Sequence, residues 1–402
     1  MAILALISVL VLVLGTFVLA PRIQRSATTS DAGSWVYTTV DGPDSVGRFS
    51  SIAVDSLCNA HISYWNATNS DLKYATNPGG TWDISTLDGL GMTGTCNSIA
   101  VDSDDNVHIS YFYASIAVLR YATDVDGSWA TYTLDSTSSV GWFTSLAVDL
   151  NNKIHISHYD NVYGNLRYTT NVSGVWESYT LDSTGDVGLY TSIATDSNNK
   201  VYVSYMDMTN GCLKYATNVD GSWANYTLDN PGCVRDDYAG YTSIAVDSHD
   251  KLHIAYWDVT HLDLKYVTNS NGTWDYQTVD STGNVGSWPS IALDSYEAAH
   301  ISYYDGTNHD LKYATNCGGG WICYTLDSGG DVGQATSIAV DSNNHLHISY
   351  YDVTNGDLKY AYDTEAIPEF VTIAYPVVAS IAMFVLLGFR RKDRPGSSRV
   401  GQ

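Results

Sequence analysis

The chain has 402 residues, 43 of them Asp or Glu against 19 Lys or Arg, for a formal net charge of −24. Residues 33–363 alone hold 39 acids and 12 bases. That balance excludes nucleic acid as a partner, because a phosphate backbone is held by a basic footprint. It suits a strongly solvated surface, cation binding or a saline medium.

The chain begins with a continuous apolar run at residues 2–20, AILALISVLVLVLGTFVLA. Residues 1–21 read as a signal peptide or a signal anchor. A basic n-region is missing, and Pro21 disfavours cleavage after Ala20. Residues 22–32 form a linker.

From residue 33 the sequence repeats. A Ser-Ile-Ala-Val-Asp landmark ends at Asp55, Asp102, Asp149, Asp196, Asp247, Asp294 and Asp341. The next landmark falls at His61, His108, His155, Tyr202, His253, His300 and His347. The spacing is 47 residues, except 51 between the fourth and fifth copies. Each copy holds four short runs of β character: Ser-Ile-Ala-Val-Asp (51–55), a run such as His300 to Asp305, one such as Asp310 to Ala314, and one such as Trp223 to Asp229. Period-two alternation and Asn/Asp/Gly turns are strand and hairpin signals.

Four strands in each repeat mean a propeller blade or a stacked solenoid. The ends decide. The first landmark, Trp35 to Asp41, is a fourth strand with nothing before it, and the last copy stops at Asp357 to Ala361 after three strands. A ring explains this offset; a solenoid would instead carry atypical caps. We therefore expect an all-β, seven-bladed propeller of four-stranded blades over 33–363. The N-terminal strand completes the last blade, and a hydrophobic helix flanks the ring at either terminus. The Trp strand becomes each blade's outer edge. Its Trp packs between blades, while Glu177, Asn225 and Gln277 blunt the edge against aggregation.

Loops on a rigid scaffold are the usual place for binding. The face carrying the fourth-to-first and second-to-third links is the candidate. Just before each first strand stand Phe49, Cys96, Phe143, Tyr190, Tyr241, Trp288 and Ala335. The aromatic members, Phe49, Phe143, Tyr190, Tyr241 and Trp288, either stack on sugar rings at the channel mouth or pack between blades. The second-to-third loops carry the pairs Asp258/Asp263, Asp305/Asp310 and Asp352/Asp357. These oxygens suit Ca²⁺, and equally suit a tight turn in which Asp bonds the backbone. Blade two has lost the pattern, reading YASIAVL from Tyr113 to Leu119. The His that opens each second strand faces the Asp that closes the first, for example His300 with Asp294. Its recurrence reads as structural, with the Asp expected to raise the imidazole pKa.

Of six cysteines, Cys317 and Cys323 flank a turn and are expected to pair. Cys212 and Cys233 leave one face beside the single insertion, 230–237, and form a second expected pair. Two disulfides imply an oxidising, extracellular setting. Four sequons, at Asn66, Asn171, Asn225 and Asn271, suit an exported protein.

Residues 364–369 are a linker, and Phe370 to Phe389 is an apolar segment of bilayer-spanning length. Arg390, Arg391, Lys392 and Arg394 follow, in a basic tail over 390–402 that stays cytoplasmic and leaves the propeller outside. With Pro368, Glu369 and Phe370 just before the span, residues 367–394 resemble the PEF-type sorting signal of archaeal surface proteins. The resemblance implies processing by an archaeosortase-like enzyme and exchange of the tail for another anchor. An ordinary single-pass anchor fits the same segment.

The turns Thr217-Asn218-Val219-Asp220-Gly221-Ser222-Trp223 and Thr123-Asp124-Val125-Asp126-Gly127-Ser128-Trp129 resemble the Asp-box of sialidase-like propellers, with a spacing that differs by one residue. That likeness is at superfamily level and covers the propeller only. Sialidases hold the substrate carboxylate with three arginines and use a Tyr/Glu nucleophile pair. Here the ring holds only Arg48, Arg120, Arg167 and Arg235, and only Glu177 and Glu297. Arg120 and Arg167 replace the Lys of Leu-Lys-Tyr, so the catalytic set does not carry over.

The sequence thus reads as a non-enzymatic, membrane-tethered cell-surface propeller. It would bind glycans or surface proteins, carbohydrate first, with Ca²⁺ as the candidate ion. The alternatives are a structural envelope protein and a sialidase-like hydrolase.

Overall fold

The computed structural model describes residues 34–137, 139–230 and 242–365. The two apolar terminal segments with their expected helices, the Pro368-Glu369-Phe370 motif, Tyr241 and Cys233 lie outside these residues. Among the described residues no helix is long and apolar enough to cross a membrane.

Twenty-eight strands form seven antiparallel sheets of four, as the repeat predicts. Blade 1 is β2 (Val46–Val54), β3 (Ala60–Asn66), β4 (Asp71–Thr76) and β5 (Asp83–Asp88). Blades 2 to 6 follow in chain order. Blade 7 joins β26 (Val332–Val340), β27 (Leu346–Asp352) and β28 (Asp357–Asp363) to β1 (Trp35–Asp41). In that closure Trp35 pairs with Asp363 and Thr39 with Lys359.

Each blade is too thin to bury a core alone, so the core lies in the seams. Ile62, Leu72 and Tyr64 are fully buried in blade 1. The Trp before each outer strand packs on the Leu-Lys-Tyr tyrosine of the preceding blade: Trp129 on Tyr74 at 4.9 Å, Trp82 on Tyr360 at 5.0 Å. A second contact follows the inner strands. The amide of the Ile of each blade, or of Leu146 in blade 3, donates to the Ser hydroxyl of the one before, as Ile99 to Ser51 at 3.3 Å. The chain returns on itself when Ile52 donates to Ser337 at 3.2 Å. Each such bond contributes about 1 kcal/mol.

A third seam contact is ionic. In five of the seven seams the Asp that ends the outer strand accepts from a Tyr and a Lys or Arg of the next blade, while among the described residues Asp135 takes from that blade only Arg167 and Asp229 only Tyr256. Asp280 takes Tyr303 at 2.7 Å and Lys312 at 2.5 Å. Asp88 takes Tyr111 at 2.7 Å and also pairs with Arg120. This is why Lys and Arg interchange in Leu-Lys-Tyr: each supplies one cation to one buried carboxylate.

Inner strands are longer than the sequence predicts, nine residues in blade 1 rather than the five of 51–55. The extra length carries irregularities. Gly47 (φ 101°) lies so close to blade 7 that a Cβ there would meet the Leu358 Cα at 2.7 Å. The register then slips between Arg48, opposite Trp65, and Ser51, opposite Ser63. One extra residue is accommodated as a β-bulge.

Candidate functional site

The bulge residue is the one singled out as the aromatic ring of the channel mouth. It takes a left-handed conformation in all six described copies: Phe49 (φ 54°), Cys96 (50°), Phe143 (50°), Tyr190 (53°), Trp288 (48°) and Ala335 (49°). Non-Gly residues seldom adopt it. Bulges of neighbouring blades touch. Phe143 meets Tyr190 at 4.6 Å, Ser50 donates to the Ala335 carbonyl at 2.9 Å, and Asn97 donates to that of Phe49 at 2.9 Å. The structure thus gathers these residues at one end of the inner strands.

They do not splay into solvent. Phe49 leans on Trp65 at 6.1 Å and Trp288 on Tyr304 at 5.5 Å, both half-buried, and Tyr190 is buried. The bulge turns Phe49 and Trp288 back onto their own second strands, while Phe143 lies between Trp142 and Tyr190. One residue earlier stand Arg48, Thr95, Trp142 and Gln334, half-buried, and Leu189 and Ser287, buried. Each pairs with a large side chain of its own second strand: Trp65, Phe112, Tyr159, Met206, Tyr304 and Tyr351. The partner stays apolar or aromatic around the ring, while the facing residue changes chemistry at every blade. Sequence reasoning passed over this position. The available signal was its variation inside an otherwise strict Val-Gly-x repeat.

Arg48 stands out there. Its guanidinium lies 5.5 Å above the Tyr351 ring of blade 7. Its Nε is buried and makes no hydrogen bond, and no carboxylate pairs with it among the described residues. Arg120 and Arg167, by contrast, are held by Asp88 and Asp135. Trp142, half-buried, packs on Phe112 at 4.6 Å. The mouth therefore combines one unmatched cation with partly open aromatic surface.

The acidic pairs behave as turns. Asp305 stands opposite Asp310, and Asp352 opposite Asp357. One oxygen of Asp305 accepts the Thr307 and Asn308 amides, and the other accepts the Asn308 side chain at 2.9 Å. Asp352 does the same with Asn355. Asp258 takes the Thr260 and His261 amides and pairs with Lys265 at 3.0 Å. The first carboxylate of each pair is thus engaged by its own loop rather than presented as an open oxygen cage for Ca²⁺. Burial and then the facing carboxylate raise the pKa of Asp310 and Asp357. The same order of causes raises that of Asp263.

The His–Asp pairs are structural. His300 reaches Asp294 at 3.2 Å and Tyr313 at 2.6 Å, and His253 reaches Asp247 at 3.1 Å and Tyr266 at 2.5 Å. In blade 4 the Tyr202 hydroxyl replaces the imidazole and donates to Asp196. The expected rise in pKa is corrected: His155, His253 and His347 are lowered, because burial of the cation outweighs the neighbouring carboxylate.

Two further expectations change. Cys317 and Cys323 are unbridged, because Cys323 pairs in register with Ala314 while Cys317 sits beyond Thr315 in the turn; the Cys323 thiol donates to the Val279 carbonyl. Cys212 is also a free thiol. Asn66 is only 4 % exposed, and its side-chain oxygen caps the Thr68 and Asn69 amides, which removes it as a glycan acceptor. Asn171, half-buried, accepts the Ile154 amide at 2.8 Å. Asn225 and Asn271 are exposed.

No protein-family model matches the sequence, and no curated protein is similar to it. Solved structures do share the fold. An ulvan lyase of polysaccharide lyase family PL25 aligns at TM-score 0.51 and 13% identity, over 82% of this chain and 93% of its own. The polysaccharide lyase Uly1 aligns at 0.50 and 12%, over 85% and 94%. The SapL1 lectin, solved with α-methyl fucoside, aligns at 0.46 and 13%, over 70% and 96%. At these identities the likeness is one of fold.

Proposed function

We propose that the propeller is a non-enzymatic, cell-surface module that binds carbohydrate at the bulge end of its channel, with a preference for sugars bearing a carboxylate or sulfate. The observation that carries this reading is Arg48. It is a cation stacked on Tyr351 and, among the described residues, left without a carboxylate in a ring of strong negative charge. A guanidinium presents parallel N–H donors that suit a planar carboxylate or a sulfate. Phe49, Trp65 and Trp142 supply apolar surface against which a sugar face can lie. A polysaccharide-lyase propeller of the same fold adds support for a glycan.

The chain ends support a tether. Thr364 donates to the Ser34 carbonyl through its amide at 3.0 Å and its hydroxyl at 2.7 Å. Ser34 and Thr364 therefore lie together at the end of the strands opposite the bulges.

The test is a glycan array of the full-length protein in detergent, with uncharged, uronate-bearing and sulfated glycans. Selective binding of acidic glycans, lost in Arg48→Gln and weakened in Trp142→Ala, supports the proposal. Binding that ignores both substitutions overturns the site, and silence of folded protein across the array overturns the glycan reading. A structural envelope role is the second reading. It is favoured by the outer strands, which expose Tyr132, Tyr179, Tyr226 and Tyr276 by 43–47 % on the rim.

A further inference from the structure

At the end of the ring away from the bulges, the hairpin between first and second strands is stitched to that of the preceding blade. The residue at the left-handed turn position accepts from a Ser one blade back: Asp105 from Ser56 at 2.6 Å, Asn152 from Ser103 at 2.9 Å, Asn344 from Ser295 at 2.9 Å. Asn and Asp suit both tasks, because they tolerate positive φ and carry a short acceptor.

The seam between blades 5 and 6 departs from this. Its turn position holds Glu297 at φ 65°, a residue type without the Asn or Asp preference for that conformation. The position two after Asp247 is His249, which is Asn151, Asn198 or Asn343 in other blades. Ser248 still reaches Glu297, so the stitch survives. But His249 Nδ1 now also meets Glu297 Oε1 at 2.6 Å, and one oxygen of Asp247 completes a trio of donor atoms all within 4.8 Å of one another.

We propose that His249 Nδ1, Glu297 Oε1 and a carboxylate oxygen of Asp247 bind a divalent ion of the zinc class and so tie blade 5 to blade 6. One imidazole and two carboxylates match a borderline metal in preference to Ca²⁺. Asp247 keeps the bonds that its equivalents make in other blades, and what differs here is that His249 and Glu297 join it. The His249 and Lys251 amides and the ring of His253 hold it, and Tyr266 fixes His253 in turn. His249 is exposed, which leaves remaining coordination positions to water. Binding takes Nδ1 in the tautomer that carries its proton on Nε2, and the hydrogen bond between His249 and Glu297 gives way to the two metal–ligand bonds.

The experiment uses metal-free full-length protein in detergent. Zinc is titrated in competition with a chromogenic chelator, and Co²⁺ is added separately to read its visible d–d absorption. The variants are Glu297→Asn and His249→Asn, each installing a residue that other blades already carry at that place. The expected result is one equivalent of zinc, a Co²⁺ spectrum of nitrogen and oxygen ligation, and affinity lower by about tenfold or more in either variant. Zinc should also raise the melting temperature of the parent but not of the variants. Equal binding by parent and Glu297→Asn, or no zinc uptake by folded parent, would show Glu297 to be one more stitch and overturn the proposal.

Discussion

The Tyr205 hydroxyl donates to Asp182 at 2.8 Å across the seam between blades 3 and 4, and Lys214 reaches the same carboxylate at 2.5 Å. Burial pushes the Asp182 pKa up, but the bonds from Lys214, the Thr184 amide and Tyr205 more than offset it and hold the carboxyl below its ordinary range. Removing the acceptor strands a buried cation and a buried hydroxyl. Asp182→Ala is expected to lower stability by about 3–5 kcal/mol in urea unfolding. A loss below about 1 kcal/mol would mean that the seam contacts do not hold the ring.

One seam lacks the tyrosine. In blade 3 its place is taken by His158, fully buried, which bonds Thr169 at 3.0 Å while its Nδ1 finds no partner. Thr169 is itself the exception where other blades have Ala or Val, as at Ala75 and Val267. The two departures belong together. His158→Tyr with Thr169→Ala should restore the bond to Asp135 and stabilise the ring by about 1–2 kcal/mol. Thr169→Ala alone should destabilise it, because the imidazole then loses its one partner.

The same histidine makes the ring acid-sensitive. Burial lowers the His158 pKa from 6.5 to about 3. Below pH 6.5 the unfolded chain takes up a proton that the folded chain refuses until about pH 3. Stability from this group is therefore complete above pH 6.5 and declines by about 1.4 kcal/mol per pH unit down to about pH 3. Urea midpoints measured across that window should show the decline. The His158→Tyr, Thr169→Ala pair should flatten it, and an unchanged slope would place the sensitivity elsewhere.

Backbone conformation separates the two special positions of the inner strand. Ala335, at φ 49°, has no large side chain to lose, so Ala335→Gly should stabilise by about 1 kcal/mol by relieving the left-handed strain. Gly94 is the reverse case. A Cβ there would sit 2.7 Å from the Leu72 Cα, and backbone cannot move aside cheaply. Gly94→Ala should cost about 3 kcal/mol. Thermal melts of both variants check the pair, and equal effects would contradict this account.

Strand number, blade number and ring closure were legible because alternation and turn residues repeat in register, and because Trp35 to Asp41 is a fourth strand without a first. The seam role of Trp129 and its equivalents was legible for the same reason. The direction of the Phe49 ring was not. Alternation assigns a side to each residue only while the strand stays regular, and the bulge inserts a residue that turns Phe49 onto Trp65. The acidic loops left two readings open in sequence because Asp serves a turn and a cation with the same oxygens. Only the placement of the Asn308 amide shows which one holds Asp305.

By itself, then, the sequence determined an acidic seven-bladed ring closed by its first strand, because period-two patterning and turn chemistry are local properties repeated seven times. Tertiary structure alone decided which charges remain unmatched. Arg120 and Arg167 are marked in sequence as stand-ins for the Lys of Leu-Lys-Tyr, but only the assembled ring shows Asp88 and Asp135 reaching them across seams. Arg48 instead lies over Tyr351, from the far end of the chain, with no carboxylate paired to it among the described residues. Likewise His249 and Glu297 lie 48 positions apart and meet because one blade repeat brings equivalent turns side by side. Such pairings depend on how blades stack around an axis, which no local pattern encodes.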